Sequence, residues 1–239
     1  MTGEAPALTL TGERTLPGIW HENYWFRRHE VAYRWLSGRA SGVVLEAGCG
    51  EGYGADALRA AGHATQVVAV DYDASSVAHV RATYPEVAVV RGNLVGLPLR
   101  SAQLDAVVSL QTVEHLWDQP LFVAECARVL RPSGLLAIST PNRLTFSPGV
   151  GRGEKPLNPF HINEFDPEEL VELLAARVTV EAVLERAVPP FPVLDPLARP
   201  DSEDGFDADA CGQQLDQLGG VELVDMKRVQ RLLAASDTW

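Results

Sequence analysis

The stretch Val43-Val-Leu-Glu-Ala-Gly-Cys-Gly-Glu-Gly-Tyr-Gly54 constrains the fold of this chain more than any other. Three apolar residues lead to an acidic one, Glu46, and then to glycines at 48, 50, 52 and 54. A short apolar run closed by glycines reads as a buried parallel strand that feeds a tight turn and opens a helix. Glycine has no Cβ and tolerates positive φ, so such a turn lets a ligand lie against bare backbone. A second run, Gln66-Val-Val-Ala-Val-Asp71, also ends in a carboxylate. Asp71 follows the glycines by about 20 residues, the spacing of an acid that accepts the two hydroxyls of an adenosine ribose.

Two cofactor classes use this arrangement: nicotinamide or flavin dinucleotides, and S-adenosylmethionine. A dinucleotide fingerprint G-x-G-x-x-G begun at Gly48 fails at Tyr53. Begun at Gly50 it fits only the looser form that ends in Ala55, and Glu51 then sets a carboxylate where a pyrophosphate would lie. S-adenosylmethionine has no phosphate. Its amino group and sulfonium are cationic, and Glu46 at the strand tip is a partner for the amino group. The balance favours S-adenosylmethionine, with the dinucleotide as the weaker alternative.

The chain has 239 residues and a formal net charge of −12, enough length for a single domain with a real core. So acidic a chain lacks the clustered lysines and arginines that neutralise phosphates, which argues against a nucleic-acid substrate. The N-terminus lacks a basic start and an apolar core, and no apolar run reaches membrane-spanning length, so a cytoplasmic protein without membrane insertion is expected. Cys49, Cys126 and Cys211 are odd in number and widely spaced. They fit reduced thiols and match no metal pattern.

Residues 1–18 read as an extended lead-in and 20–37 as an aromatic-rich amphipathic helix. Strands are expected near 43–47, 66–71, 86–91, 104–110 and 134–140, and helices near 53–62, 74–83, 118–130 and 166–176. Strands alternating with helices imply a parallel sheet covered on both faces. Ligands in such sheets bind beyond the carboxyl ends of the strands. Glu46 to Gly52, Asp71 and Tyr72, Asn93 and Leu94, Gln111 to His115, and Thr140 to Arg143 all follow such ends, so five segments converge on one edge.

An alcohol acceptor needs a base, and histidine suits that task near neutral pH. His115 follows the fourth strand, with Asp118 three residues on as its expected orienting group; Glu114, as immediate neighbour, is not expected to fill that role. The competing reading is a structural histidine packed against the cofactor turn. His161 is the second candidate, in a long Gly- and Pro-rich loop from Asn142 to Asn163 of the kind that forms lids; its competing reading is a surface histidine. Asp166-Pro-Glu-Glu169 starts the next helix as a capping box.

These motifs together resemble the class I S-adenosylmethionine-dependent methyltransferases. Glu46-Ala-Gly-Cys-Gly-Glu-Gly52 is similar to the family's first motif, Val70-Asp71-Tyr72-Asp73 to its second-strand acid, and Gly92-Asn93-Leu94 to the loop beside adenine, where aspartate is more usual than Asn93. Leu104 to Leu116 is similar to the fourth-strand motif and Leu130 to Ser139 to the turn into the fifth strand. The resemblance covers roughly residues 43–142. It implies a Rossmann-like, doubly wound, mainly parallel α/β fold with an N-terminal capping helix. It also implies S-adenosylmethionine held by Glu46, Gly48, Gly50, Gly52 and Asp71, with Tyr72 and Leu94 around adenine beside Asn93, and Gln111 near the sulfonium.

Gly12-Glu-Arg-Thr15, Glu22 to His29, Ser139 to Arg143, Ser147-Pro-Gly149 and Asn158-Pro-Phe-His161 narrow the resemblance. They are similar to actinobacterial methyltransferases of the mycobacterial methylglucose lipopolysaccharide type. That implies Tyr24 and Arg28 as contacts of the cofactor carboxylate and a saccharide hydroxyl as acceptor, with a homodimer as a further expectation. Small natural products and quinone or lipid precursors are the alternative acceptors. A metal-assisted variant with Mg²⁺ would need several oxygen ligands, for which only Glu114 and Asp118 stand out. A dehydrogenase and a catalytically silent cofactor-binding regulator are the alternatives of other classes.

The expected organisation is one domain: lead-in and cap helix at 1–40, core at 41–185, and a divergent, partly disordered tail at 186–239. Val178 to Leu184 is the sixth-strand candidate, Val221 to Asp225 the seventh, and Met226 to Ala235 reads as a helix.

Overall fold

The computed structural model describes residues 23–180 together with residues 8 and 14–17. Helix α1 (Asn23–Ser37) precedes β1 (Gly42–Ala47), α2 (Tyr53–Ala60), β2 (Ala64–Asp71), α3 (Ala74–Thr83) and β3 (Ala88–Arg91). There follow β4 (Leu104–Leu110), a single 3-10 turn (Val113–His115), α4 (Gln119–Val129), β5 (Leu130–Ser139), a one-turn α5 (Arg143–Phe146) and α6 (Pro167–Ala175). The five strands form one sheet in the order β3-β2-β1-β4-β5, every pairing parallel. Strand order reverses between β1 and β4, and open parallel sheets bind ligands at the carboxyl end of that switch point.

The strands run apolar because both faces of the sheet are covered. Val44, Val67, Ala69, Ala106 and Val108 pack on one side beneath α1 and α2. Leu45, Val70 and Val107 pack on the other against Phe122 and Val129 of α4, with Leu170 and Leu173 of α6. The five strands expected between 43 and 140 and the five main helices are present. β3 is shorter than expected, beginning at Ala88. β5 begins earlier, at Leu130, because the chain leaves α4 directly into pairing with β4 and takes a register shift between Leu104 and Ala106. The expected capping box of α6 is formed: the Asp166 side chain accepts from Glu169 N, and Glu169 reaches back to the Asp166 amide.

The sixth-strand candidate is described only at Val178 to Val180, which are irregular. Its remainder, the seventh-strand candidate and the expected C-terminal helix lie outside the described residues. Among the described residues no helix is long and apolar enough to cross a membrane.

Candidate functional site

The glycine turn lies between β1 and α2. Gly48, Gly50 and Gly52 have φ of 86°, 52° and 100°, the left-handed region that glycine enters without a Cβ penalty. A Cβ on Gly48 would collide with Thr112 and one on Gly52 with Val80, whereas one on Gly50 would meet nothing within 4 Å. Gly48 and Gly52 are thus demanded by packing as well as by φ. Gly50 borders open space where a ligand can reach the backbone.

Asp71 ends β2 with its carboxylate over this turn. Its Oδ2 accepts from Gly50 N at 2.8 Å and its Oδ1 from Asp73 N at 2.8 Å. Each oxygen has a further lone pair, so the two together suit a vicinal diol. Burial raises the pKa of Asp71, while the amides of Asp73 and Gly50 and the nearby Arg14 pull it back.

Glu46 is buried within β1 at 1% exposure. Tyr33 of α1 donates its hydroxyl to Glu46 Oε1 at 2.5 Å, and Glu46 Oε2 has no hydrogen-bond partner among the described residues. Burial pushes the carboxyl up to about 8. An orphaned buried carboxylate oxygen costs free energy, and a cationic amino group is the kind of partner that relieves it. The turn, the diol-ready Asp71 and this oxygen all fit S-adenosylmethionine.

Glu51 corrects one expectation. Its side chain does not face the ligand side of the turn. It is buried and accepts from Tyr84 OH at 2.9 Å and from Tyr53 N at 3.0 Å, with His79 Nε2 also 3.0 Å away. Glu51 therefore does not repel a pyrophosphate at this turn, because its carboxylate is engaged by α2 and α3. The orphaned Glu46 takes over the discrimination.

The N-terminal segment joins α2 and α3 through residues the sequence marked only as part of a resemblance. Arg14 donates to Asp73 Oδ2 at 2.7 Å and to Ser76 Oγ at 3.0 Å. Thr15 Oγ1 and His29 Nδ1 lie 2.8 and 2.6 Å from Tyr53 OH, at the start of α2. Burial lowers His29 to about 4, with Arg28 adding to the effect. Arg28 sets its guanidinium 5.9 Å from the Phe146 ring centre, linking α1 to α5. Tyr24 lies on the first turn of α1, and its side chain is outside what the structure describes. Tyr33 had no sequence signal beyond its place in an amphipathic helix.

Of the expected adenine contacts, Tyr72 stands 70% exposed just past β2, with the Arg91 guanidinium 5.7 Å from its ring centre. Leu94 is buried in the core with Val70 and Leu97. Asn93 is exposed and its Oδ1 accepts from Val95 N, closing a turn. Gln111 directly follows β4 at φ 52°, a strained conformation for a residue with a Cβ. Its amide N–H donates to Ser139 O at 2.9 Å and its side chain to Ser139 Oγ at 3.0 Å.

Beyond β4, the 3-10 turn and the loop after β5 bring together Glu114, His115 and His161. Ile162 N donates to Glu114 O at 2.7 Å and joins the two segments. His115 is half-buried, its Nδ1 3.2 Å from Phe160 O, which fixes Nδ1 as the protonated nitrogen and leaves the lone pair on Nε2. Asp118 does not orient it. The Asp118 side chain caps α4 by accepting from Leu121 N. Glu114, set aside as an immediate neighbour, holds Oε1 4.0 Å from His115 Nε2, because the 3-10 turn folds the two side chains together.

His161 is no surface histidine. It is buried, with Nδ1 2.6 Å from Glu164 Oε1, Nε2 3.0 Å from Asn158 Nδ2, and its ring centre 4.9 Å from that of His115. Arg143 secures the base of the loop. Buried, it donates to Asp166 Oδ2 at 2.6 Å, Glu169 Oε2 at 2.9 Å and Val150 O at 2.7 Å. The donors nearest one another, two imidazoles and a carboxylate, do not make the oxygen set that Mg²⁺ prefers.

Residues 45–138 match the methyltransferase domain family. The chain is 60% identical over 169 residues to a Mycolicibacterium smegmatis protein named as an S-adenosylmethionine-dependent methyltransferase, covering 70% of this chain and 64% of the relative. To a Mycobacterium tuberculosis protein of the same description it is 58% identical, covering 72% and 62%. It thus spans slightly less than two thirds of the length of these curated relatives. A Bradyrhizobium ubiquinone biosynthesis O-methyltransferase is 32% identical over 49% of this chain and 46% of its own length. Among solved structures, a Pyrococcus horikoshii protein superposes with a TM-score of 0.57 at 20% identity, over 66% of this chain and 84% of its own. An S-adenosylmethionine-dependent methyltransferase of Mesorhizobium loti does so with a TM-score of 0.53 at 17% identity, over 63% and 81%. With its all-parallel sheet, its switch point and a glycine turn inside the matched segment, the chain has the Rossmann-like α/β fold of the methyltransferases.

Proposed function

We propose that this chain is an S-adenosylmethionine-dependent O-methyltransferase acting on a hydroxyl of a saccharide-type acceptor. The observation that carries the reading is the pairing, at one switch point, of a bare glycine turn with an orphaned buried carboxylate oxygen on Glu46 and a diol-ready Asp71. When bound, S-adenosylmethionine would supply an electrophilic methyl group to the acceptor oxygen, with S-adenosylhomocysteine as the leaving group. Asp71 and Glu46 would hold the cofactor's ribose and amino group, and α1 with Arg14 and Thr15 would cover it. Holding acceptor and methyl in line supplies much of the rate.

The hydroxyl is activated at the Glu114–His115–His161 cluster, around His115 Nε2. The exposed rings of Trp117 and Phe160 stand in the chain beside it and suit the apolar face of a sugar ring. The same rings, with exposed Leu144 and Leu157, favour a second reading, a quinone or lipid precursor, as does the likeness to a ubiquinone-pathway enzyme.

Methyl-labelled cofactor offered with oligosaccharides and, separately, with polyprenylated phenols decides between the two. Label in a saccharide supports the first reading. Label only in the phenols replaces it by the second. His115→Asn is expected to lower turnover by about 10²-fold or more with cofactor affinity unchanged. Unaltered turnover would remove His115 from the reaction.

A further inference from the structure

We propose that Glu114, His115 and His161 bind one divalent transition-metal ion at the acceptor edge; the role of the ion, though not its binding, rests on the methyl-transfer reading above. One ligand atom from each of the three residues lies within 4.8 Å of the other two. The donors come from two segments, the turn after β4 and the loop after β5. Ile162 N and Asn163 N clamp these together on Glu114 O at 2.7 and 3.3 Å.

Each donor is aimed from behind. A metal-bound histidine gives its other ring nitrogen to a carboxylate or a backbone carbonyl, which fixes the tautomer and raises the basicity of the ligating nitrogen. Both kinds of support are present here. Glu164 Oε1 lies 2.6 Å from His161 Nδ1, and Phe160 O lies 3.2 Å from His115 Nδ1. Glu114 is steadied by Thr140, whose hydroxyl donates to Oε2 at 3.1 Å. Glu164 is fully buried, and its Oε2 has no hydrogen-bond partner among the described residues. A buried carboxylate committed to one imidazole suits the support of a ligand better than ordinary packing.

The donor set selects the ion. Two imidazoles and one carboxylate suit zinc, iron, cobalt, nickel or manganese, and disfavour Mg²⁺ and Ca²⁺, which take oxygen ligands. Three protein donors leave coordination positions for a substrate oxygen. In a four-coordinate site with bonds of about 2.0–2.1 Å the donors stand about 3.3 Å apart, so the cluster must tighten on binding. The Asn158 amide, 3.0 Å from His161 Nε2, is the group the ion displaces. With the ion present, the cluster acts on the acceptor hydroxyl through Lewis acidity, lowering its pKa so that the proton leaves to water.

The test is calorimetric titration of the demetallated full-length chain with Zn²⁺, Co²⁺ and Mg²⁺, with the visible spectrum of the Co²⁺ form recorded. S-adenosylmethionine binding is measured on every variant as the control for folding. The expected result is one Zn²⁺ or Co²⁺ per chain and no comparable Mg²⁺ binding. Co²⁺ absorption should show nitrogen ligation. His115→Ala and His161→Ala should each lose about 10²-fold or more in metal affinity, and Glu164→Gln about 10- to 100-fold. Half-buried His115 keeps the test open if the buried His161→Ala does not fold. Failure of Zn²⁺ and Co²⁺ to bind, or binding that survives both His→Ala changes, overturns the proposal. Cofactor binding without metal binding would sink the metal site and leave the methyl-transfer reading standing. Metal binding without cofactor binding would uphold the site and sink that reading.

Discussion

Glu46 shows how one residue carries both packing and chemistry. In the sequence it is the acid at the tip of an apolar run. In the fold it is almost fully buried and accepts a hydrogen bond from the Tyr33 hydroxyl. Desolvation raises its folded pKa to about 8, from an ordinary 4.5. Between those values the folded state holds a proton that the unfolded chain releases. The stability this gives is therefore full below about pH 4.5 and lost as pH rises through about 8. His29, lowered to about 4, acts the other way and removes stability as pH falls below 6.5. Denaturation midpoints followed upward from pH 6.5 should fall in the wild type and fall less in Glu46→Gln; equal slopes would contradict the burial argument. The acids at the strand ends were readable from position alone. The orientation of Glu51 was not, because a turn residue can face either the ligand or the neighbouring helix, and here Tyr84 and His79 decide it.

At the level of elements, α1 depends on Gly54, which the sequence grouped with the ligand-facing glycines and which packing explains. A Cβ at Gly54 would lie 2.1 Å from Tyr33 Cζ and 2.2 Å from Glu46 Oε1. The missing side chain is thus what lets α1 settle on α2 and bring Tyr33 to Glu46. Gly54→Ala should cost about 1–3 kcal/mol through overpacking, lower Tm by several degrees, and weaken cofactor binding. Gly38→Ala, with nothing within 4 Å, should change neither, and a thermal melt separates the two. Strand and helix periods made most elements legible in advance. The loop from Asn142 to Asn163 was legible only as long and polar. That it folds back through Arg143, Asp166 and Glu169 to bury His161 depends on contacts between residues more than 20 positions apart, which no local pattern encodes. The partnership of His115 with Phe160, 45 positions apart, was hidden for the same reason. That of Asp118 with Leu121 N is local, and an N-cap reading of Asp118-Gln-Pro120 would have found it.

For the whole molecule, sheet order places the site. Because β4 returns beside β1, the glycine turn, Asp71 and the Glu114–His115–His161 cluster all open from one edge, and alternation of strand and helix along the chain already implied that edge. The central claim is that this edge holds S-adenosylmethionine through Asp71. The direct measurement is calorimetric titration with S-adenosylmethionine, S-adenosylhomocysteine and NAD⁺, on the wild type and on Asp71→Ala. One-to-one binding of the first two and none of NAD⁺ is expected. Loss of two charge-assisted hydrogen bonds in Asp71→Ala should weaken affinity by about 10²-fold or more. Binding of NAD⁺ alone, or S-adenosylmethionine affinity indifferent to Asp71→Ala, would contradict the central claim.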